Sequence, residues 1–437
     1  MPAAPEYISD LSSYLEASPS SFHAVHSAGL RLLEAGFARL EESEQWPVAA
    51  GKYFVIRDGA LIAWVKQADA GPLTGFHIVG AHTDSPTFTL KPRPSSGRAG
   101  WLQAGVEVYG GPLLNSWLDR ELILAGRIVT RDGVEHLVRT GPLLRFAQLA
   151  IHLDRAANDG LVLDRQQHMN PVWGLGDPGH ADLLTVVLEE AGLKPADVGG
   201  FDVVIADSQQ PQRFGAGGAF LAAGRLDNLV SVHAGLHALI GGSSADGAQR
   251  PIAVVAAFDH EEVGSASRSG ASGPFLEDVL LRISAGTGAG LEERMRAMAS
   301  SVCISADAAH AVHPNYPERH DPANRPVPNG GPVLKINANQ RYATDAPGAS
   351  LWAGLCQRTS VPYQEFVSNN AIPCGSTIGP LTATRLGIRT IDVGIPILSM
   401  HSAREMCGVE DPYRLARVLG EFFHGGPGDS PSSGTMH

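Results

Sequence analysis

Acidic and histidine side chains follow four apolar runs that are typical of buried strands: PIAVVAAF, FHIVGA, SVCISA and IDVGIPILSM. In the order of the runs, these side chains are Asp259, Glu261 and Glu262; His82 and Asp84; Asp307; and His401. Ligands of open α/β sheets bind outside the carboxyl ends of the strands, so these distant positions can meet in one crevice. Asp227 lies near the start of an amphipathic helical pattern and can join them from the side.

Several carboxylates placed together repel one another, and burying each without a partner costs roughly several kcal/mol. A divalent metal ion compensates such charges. A ligand set of His, Asp and Glu without cysteine suits zinc, manganese or cobalt in a catalytic site that keeps an open position. A helix N-terminus would also favour the adjacent Glu261 and Glu262, but it would not explain the histidines.

Five side chains are candidate metal ligands: His82, Asp227, Glu262, Asp307 and His401. A single catalytic zinc ion takes about three protein ligands. If one carboxylate bridges, five side chains can give three ligands to each of two metal ions, as two-metal hydrolases require. The sequence therefore predicts a site for two metal ions in each subunit.

Two further acids next to these ligands have predicted roles in the reaction. Glu261 adjoins a candidate ligand and is free to face solvent. It can therefore take a proton from a metal-bound water and pass it to a leaving amine. Asp84, two residues after His82, can hold that imidazole in the tautomer that binds metal.

Composition bounds the class of protein. The formal net charge of −12 over 437 residues argues against nonspecific binding to nucleic acid or to an anionic membrane. The N-terminus lacks the basic start and apolar stretch of a signal peptide, and no run is long enough to span a bilayer. The four cysteines lack paired spacing, as expected for reduced thiols. We therefore expect a soluble, cytoplasmic protein.

The order of elements predicts an α/β fold with an insertion. Strand-like runs and helical segments before residue 85 and after residue 224 indicate a mostly parallel sheet sandwiched by helices. Between them, residues 86–224 contain short β-like pieces broken by Gly and Pro, which favours a separate β-rich domain. Residues 425–437 are poor in apolar side chains and are predicted to be disordered.

Eight sequence blocks make the chain resemble the aspartyl aminopeptidase family, which are zinc exopeptidases that remove single residues from peptide N-termini. In chain order the blocks are GAHTDSP, LAIHLDR, GRLDNL, FDHEEVGS, SADAAHAVHPNYPERH, NQRYATDA, CGSTIGP and SMHSARE. They extend over nearly the whole chain in the family order. The resemblance implies a zinc exopeptidase-like fold, with residues 1–85 and 225–424 as the catalytic α/β domain and residues 86–224 as an inserted dimerisation domain.

The resemblance also implies how the candidate ligands divide between two zinc ions. His82 and Asp307 would hold one ion, and Glu262 and His401 would hold the other. Asp227 would bridge the two ions. Glu261 would be the general base.

An assembly and a further substrate contact follow from the same resemblance. The inserted domain would build dimers, and these would join into a hollow tetrahedral dodecamer. His152, in the block LAIHLDR, would reach from the inserted domain into the active site of a neighbouring subunit and contact substrate there.

One stretch departs from the family pattern. Before CGSTIGP the family often carries an Arg and an Asp in a block such as RND or RSD, and the corresponding positions here are Asn369 and Ala371. The departure bears on the family preference for acidic N-terminal residues. Lys335, in VLKINANQRYATDA, remains available as a cation for a substrate carboxylate.

The sequence thus predicts a zinc aminopeptidase that releases single N-terminal residues, Asp or Glu, from peptides by attack of a dizinc-bound hydroxide. Manganese and cobalt are possible substitute metals. The alternatives are an aminopeptidase of broader or neutral specificity, a dinuclear amidohydrolase or deacylase, and a noncatalytic assembly protein. Because every predicted ligand and the general base are present, the enzyme is favoured over the noncatalytic alternative.

Overall fold

The computed structural model describes residues 4–242 and 250–425. Its main sheet has nine strands, and four parallel, almost entirely buried strands form the centre: Ile252–Phe258, Phe76–His82, Val302–Ala306 and Arg389–Gly394. The outer strands are Ala38–Arg39, Gly51–Arg57 and Ala60–Lys66 on one side, and Val333–Ile336 and Gln364–Val367 on the other. The predicted α/β fold with a mostly parallel sheet is confirmed.

Helices cover both faces of the main sheet because alternate strand residues point to opposite sides. Val79 and Val255 pack into one apolar core, whereas Ile78 and Val254 pack into the other. The helices over the first core are Ala4–Ala17, Ser21–Glu34, Leu226–Gly241, Ala346–Thr359 and Asp411–His424. The helices over the second core are Phe275–Ala285, Leu291–Ala299 and Ile378–Leu386.

The segment after the first four strands forms a separate sheet with its own apolar core, against which the helix Leu183–Glu189 packs. All neighbouring strands in this sheet run antiparallel. In spatial order its six strands are Glu135–Arg139, Leu122–Thr130, Val198–Asp207, Thr87–Arg98, Trp101–Tyr109 and Val172–Leu175. We call it the inserted sheet.

A third sheet joins segments that are far apart in the sequence. In spatial order its strands are Gln212–Phe214, Phe220–Ala223, Glu405–Gly408, Pro396–Leu398 and Ala309–His310. Its first two strands precede residue 224, yet Phe220–Ala223 pairs with Glu405–Gly408. The inserted sheet therefore ends at Asp207, ahead of the predicted domain boundary, and main-chain hydrogen bonds tie the following segment to the catalytic part.

The run IDVGIPILSM, predicted as one strand, contributes to two strands in different sheets. Arg389–Gly394 belongs to the main sheet, and Pro396–Leu398 belongs to the third sheet. At Gly394 the chain passes so close to the carbonyl oxygen of Asp307 that a Cβ atom would lie 1.8 Å from it. Only glycine fits at this close passage, which an apolar sequence pattern does not reveal.

Two expectations concern the exterior and the end of the chain. Within residues 4–242 and 250–425, no helix is long and apolar enough to cross a membrane. The predicted disordered tail, residues 425–437, lies outside the described residues except for Gly425.

Candidate metal centre

Three neighbouring strands of the main sheet end at the same edge, and candidate ligands occur at or after each end. His82 is the last residue of its strand, and Asp307 directly follows the next strand. Glu261 and Glu262 follow the third strand in a short 3-10 turn. This turn begins after His260, whose left-handed φ of 63° reverses the chain at the strand end.

The other two candidate ligands come from outside the main sheet. His401 follows a strand of the third sheet and has a left-handed φ of 67°. Asp227 lies at the start of the helix Leu226–Gly241, but its φ of −79° and ψ of 106° are not helical. The peptide bond between Asp227 and Asn228 is cis. The left-handed backbone of His401 and the non-helical φ and ψ of Asp227 therefore set the direction of both side chains.

Asp227 lies at the centre of the cluster. Its Oδ1 is 3.3 Å from His82 Nε2, and its Oδ2 is 3.4 Å from His401 Nε2. His82 Nε2 is also 3.5 Å from Asp307 Oδ1, and His401 Nε2 is 3.3 Å from Glu262 Oε2. Because the two oxygens of Asp227 face different histidines, this carboxylate can serve two metal positions at once.

The residues of the cluster fit a centre of two metal ions. Asp227 Oδ1 and Glu262 Oε1 are buried and accept no hydrogen bond, a costly state for carboxylates that a bound cation would relieve. Within the described residues, three sets of ligand atoms lie within 4.8 Å of one another: His82, Asp227 and Asp307; His82, Glu261 and Glu262; and Asp227, Glu262 and His401. The donors are the nitrogen and oxygen atoms that zinc accepts in catalytic sites.

The charges of the cluster shift its pKa values strongly. Burial lowers the pKa of His82, but the nearby Asp227 and Asp307 carboxylates outweigh burial and leave this pKa well above its usual value. Burial also lowers the pKa of His401, and Asp227 again reverses the effect. Burial raises the pKa of Glu262 well above its usual value, and the charge of Asp227 adds to the shift. The metal-free cluster therefore holds protons that a metal ion must displace.

Glu261 points into the same space but is less enclosed than its neighbour. Its Oε2 is 4.0 Å from His82 Nε2, and its side chain is 16% exposed. Burial raises the pKa of Glu261 to about 7. In the metal-free protein this carboxyl group therefore exchanges protons near neutrality, and its place beside the cluster suits it to the role of a general base.

Asp84 contacts both His82 and the two glutamates. The imidazole contact comes from the main chain, because His82 Nδ1 lies 3.0 Å from the carbonyl oxygen of Asp84 and 3.4 Å from its Oδ1. The carboxylate itself accepts the backbone N–H groups of Glu261 and Glu262 at 3.0 and 3.1 Å and the hydroxyl of Tyr109 at 2.7 Å. Asp84 therefore orients the backbone of both glutamates in addition to the imidazole of His82.

Lys335 lies in the wall of a cavity of about 510 Å³ that the cluster also lines, here called the metal cavity. Its side chain is 1% exposed, and Nζ is 3.4 Å from Asp307 Oδ2 and 3.1 Å from the carbonyl oxygen of Ala308. The ammonium group also lies over the ring of Tyr342, 5.0 Å from its centroid. The structure thus brings this predicted substrate-binding residue next to the cluster.

A second cavity of about 290 Å³ adjoins the metal cavity, and both are lined by His310 and Tyr342. Its lining includes Arg319, and none of its described lining residues is Asp or Glu. Asn369 also lines it, but this side chain donates to the carbonyl oxygen of Glu318 and accepts the N–H of Ala371. The two positions that depart from the family pattern therefore stabilise a turn beside this cavity.

The structure does not bring His152 to the metal cavity of its own chain. His152 is exposed and lies in a turn that follows the inserted sheet strand ending at Arg139. The apolar side chains of Leu149, Ile151 and Leu153 beside it are also exposed. A role for His152 at an active site requires another subunit.

Sequence reasoning missed two residues that hold the cluster. Glu405 is 2% exposed and accepts the backbone N–H groups of Asp227 and His401, and burial raises its pKa to about 8. Its position four residues after His401, in the block SMHSARE, was the available signal. Tyr109 belongs to the inserted sheet and reaches Asp84 only in the folded chain, so no local pattern could reveal it.

The fold and the cluster together define a metal-dependent hydrolase, because a parallel α/β sheet ends in a crevice of histidines and carboxylates suited to activating water. A family profile described as "Aminopeptidase I zinc metalloprotease (M18)" matches residues 14–423. The chain therefore belongs to the M18 family and is a metallo-aminopeptidase. This confirms the predicted family and the prediction that the protein is an enzyme. The zinc chemistry of the family supports zinc as the metal.

Individual relatives agree with the family profile. The probable M18 family aminopeptidase 2 of Streptomyces avermitilis is 53% identical over 419 residues, covering 95% of this chain and 97% of the relative. A chain of the solved Ape4 and Nbr1 complex has a TM-score of 0.92 and 36% identity, covering 96% of this chain and 86% of that one. A chain of the solved S. cerevisiae mApe1 dodecamer has a TM-score of 0.82 and 30% identity, covering 96% of each.

Zinc affinity is expected to rise with pH. The raised pKa values of His82 and His401 keep both imidazoles protonated above their usual range in the metal-free protein, and zinc must displace these protons. The stabilisation from the protonated histidines is fully present below their unfolded pKa and is lost as pH rises through the raised folded pKa. Zinc should therefore increase the melting temperature more at about pH 8 than at about pH 6.

Calorimetric titration of metal-free protein with zinc, in buffers of different ionisation enthalpy, counts the released protons. A heat of binding that does not depend on the buffer would contradict the prediction.

Proposed function

We propose that this metallo-aminopeptidase releases single N-terminal residues, with Asp and Glu preferred, at a centre of two zinc ions. The observation that carries the proposal is the position of Asp227, whose two oxygens lie 3.3 and 3.4 Å from the nitrogens of two histidines. A carboxylate that faces two ligands on opposite sides is the arrangement expected of a bridge between two metal ions.

The division of ligands follows the distances within the cluster. His82 and Asp307 lie together on one side of Asp227, and Glu262 and His401 lie together on the other. We assign the first pair to one zinc ion, the second pair to the other and Asp227 to both. These residues would give each ion three protein ligands.

The chain supplies a proton carrier beside this centre. Zinc held by these residues would activate a water and polarise the scissile carbonyl. Glu261 is placed to accept the proton of the attacking water and to donate it to the leaving amine, because it lines the metal cavity without belonging to the assigned ligand set. Asp84 holds the backbone of Glu261 in place for this transfer. The free α-amino group of the peptide would bind at the same centre.

Positive charge in and beside the metal cavity supports a preference for acidic N-terminal residues. Lys335 places an ammonium group in the cavity wall, and Arg319 lines the adjoining cavity. Asn369 is engaged in a turn, so the departure from the family pattern leaves these cations in place. We therefore propose the acidic preference over the broader or neutral specificity.

A homo-oligomer would complete the site. The similar mApe1 chain comes from a dodecamer, and this chain covers 96% of it. His152 and the exposed apolar side chains beside it suit a segment that enters a neighbouring subunit. We propose that the inserted sheet forms dimers, that the dimers assemble into a tetrahedral dodecamer and that His152 contacts substrate across the interface.

The substitution Glu261→Gln is expected to abolish turnover while zinc is retained. The amide cannot accept the proton of the attacking water, so kcat should fall by about 10²–10⁴-fold. The measurement is kcat together with zinc content by elemental analysis. Glu410→Gln, which changes a half-exposed glutamate of a surface ion pair, is the control and should keep the wild-type rate. A zinc-loaded Glu261→Gln enzyme with the wild-type rate would refute the mechanism.

Matched peptides with N-terminal Asp, Glu, Leu or Lys test the specificity. Peptides with Asp and Glu should be cleaved fastest, and Lys335→Met should lower kcat/KM for Asp by about 10–100-fold, the value of a lost charged hydrogen bond. Leu peptides should lose much less, with zinc content unchanged; an equal loss for all four peptides together with lower zinc content would show that Lys335 acts through Asp307 and not on the substrate. Lys66→Met removes another buried lysine, one bound to carbonyl oxygens outside the metal cavity, and is the control.

Preference for Leu or Lys in the wild-type enzyme would overturn the acidic specificity and leave the aminopeptidase intact. A blocked N-terminus should prevent cleavage of all four peptides. Hydrolysis of the blocked peptides would point instead to a deacylase-like reaction.

Assembly and activity are expected to be coupled through His152. Light scattering should show an oligomer, and His152→Ala should lower kcat/KM by roughly 10-fold, the loss of one hydrogen bond, with unchanged zinc content. His180→Ala removes an exposed histidine of an ion pair with Asp177 and serves as the control. A fully active monomer would contradict the proposed role of His152.

A further inference from the structure

Glu405 connects Asp227 and His401, two candidate ligands that are far apart in the sequence. It is the first residue of the strand Glu405–Gly408 in the third sheet. Its Oε2 accepts the backbone N–H of Asp227 at 2.9 Å, and its Oε1 accepts the backbone N–H of His401 at 2.8 Å. One buried carboxylate therefore holds the main chain of both residues.

Neither N–H group has a partner in regular secondary structure. Asp227 lies at the start of a helix, where backbone N–H groups lack intrahelical acceptors, and its own backbone is not helical. His401 has a left-handed backbone and follows the end of a strand. Both segments therefore depend on a side-chain acceptor, and Glu405 supplies an acceptor oxygen to each.

The place of Glu405 in the third sheet fixes its backbone. Its backbone pairs with Ala223, which lies shortly before the helix that carries Asp227. The chain reverses within four residues between His401 and Glu405, so the same strand start lies close to both ligands. A displacement of this carboxylate would move Asp227 and His401 relative to each other.

We propose that Glu405 is a positioning residue that sets the spacing of Asp227 and His401 and thereby the zinc affinity of the position they share. The inference rests on the proposed assignment of these two residues as zinc ligands. Glu405 acts through the main chain of the ligands and does not itself touch zinc or substrate. Groups that orient metal ligands in this way typically account for 10–100-fold in metal affinity.

The isosteric substitution Glu405→Gln tests the proposal. Its amide can accept only one of the two N–H groups, because the amide nitrogen is a donor and would face the other N–H. Asp411→Asn is a matched control. Asp411 is also a fully buried carboxylate that accepts two backbone N–H groups, those of Asn329 at 2.6 Å and Gly331 at 2.9 Å, and it does not line the metal cavity.

The measurements are zinc affinity by chelator competition, melting temperature of the metal-free protein, and kcat at saturating zinc. Glu405→Gln should weaken zinc binding by about 10–100-fold and recover most of its kcat when zinc is saturating. Asp411→Asn should lower the melting temperature but leave zinc affinity within about 2-fold of wild type. If circular dichroism shows that Glu405→Gln does not fold, Glu405→Asp, which keeps both acceptor oxygens on a shorter side chain, should show an intermediate loss of affinity.

Unchanged zinc affinity in the folded variant would overturn the proposal, as would an equal loss in Asp411→Asn. A zinc-saturated Glu405→Gln enzyme that stays inactive would assign Glu405 a direct part in the reaction and also overturn the positioning role. Wild-type protein that binds fewer than two zinc ions would refute the proposed function instead. The two failures are therefore distinguishable.

Discussion

Mutual repulsion of carboxylates is the constraint on which the rest of this structure depends. Asp227, Glu262 and Asp307 converge with two histidines at the buried end of the main sheet, and oxygens of the first two accept no hydrogen bond. Burying such charges is unfavourable unless protons or cations compensate them. The raised pKa values of the two histidines and of Glu262 show that protons can compensate these charges. The fit of the cluster to two metal ions shows that cations can do so as well. The same arrangement that is costly for folding makes the site suitable for a hydrolase.

The fold holds these charges mainly through main-chain contacts from two further acids. Asp84 accepts the backbone N–H groups of Glu261 and Glu262. Glu405 accepts the backbone N–H groups of Asp227 and His401. Each acid thus fixes two neighbouring functional residues by one carboxylate. A carboxyl side chain offers two acceptor oxygens, so each acid can satisfy two backbone N–H groups that regular secondary structure leaves without a partner, which suits both acids to fixing irregular backbone.

The inserted sheet strand Trp101–Tyr109 and the residues directly after it contribute to the metal centre within their own subunit. Tyr109 donates its hydroxyl to Asp84, and the carbonyl oxygen of Gly111 accepts a hydrogen bond from His401 Nδ1 at 3.1 Å. These contacts fix the second nitrogen of one imidazole and the acid that orients the glutamates. The segment proposed to build the assembly is therefore part of the environment of the cluster within a single chain.

The sequence by itself determined the fold class and identified the acids and histidines at strand ends as candidate site residues. Apolar periodicity and placement at strand ends are local properties that a sequence shows directly. The sequence did not reveal that the run before His401 divides between two sheets at Gly394, since a close passage of two backbones is not a local property. Only the tertiary structure decided that Asp227 faces two histidines and that Asp84 holds two glutamates. It also decided that Glu405 holds Asp227 and His401, two ligands that are far from each other in the sequence. These contacts join residues up to 178 positions apart, and their geometry depends on how three sheets meet.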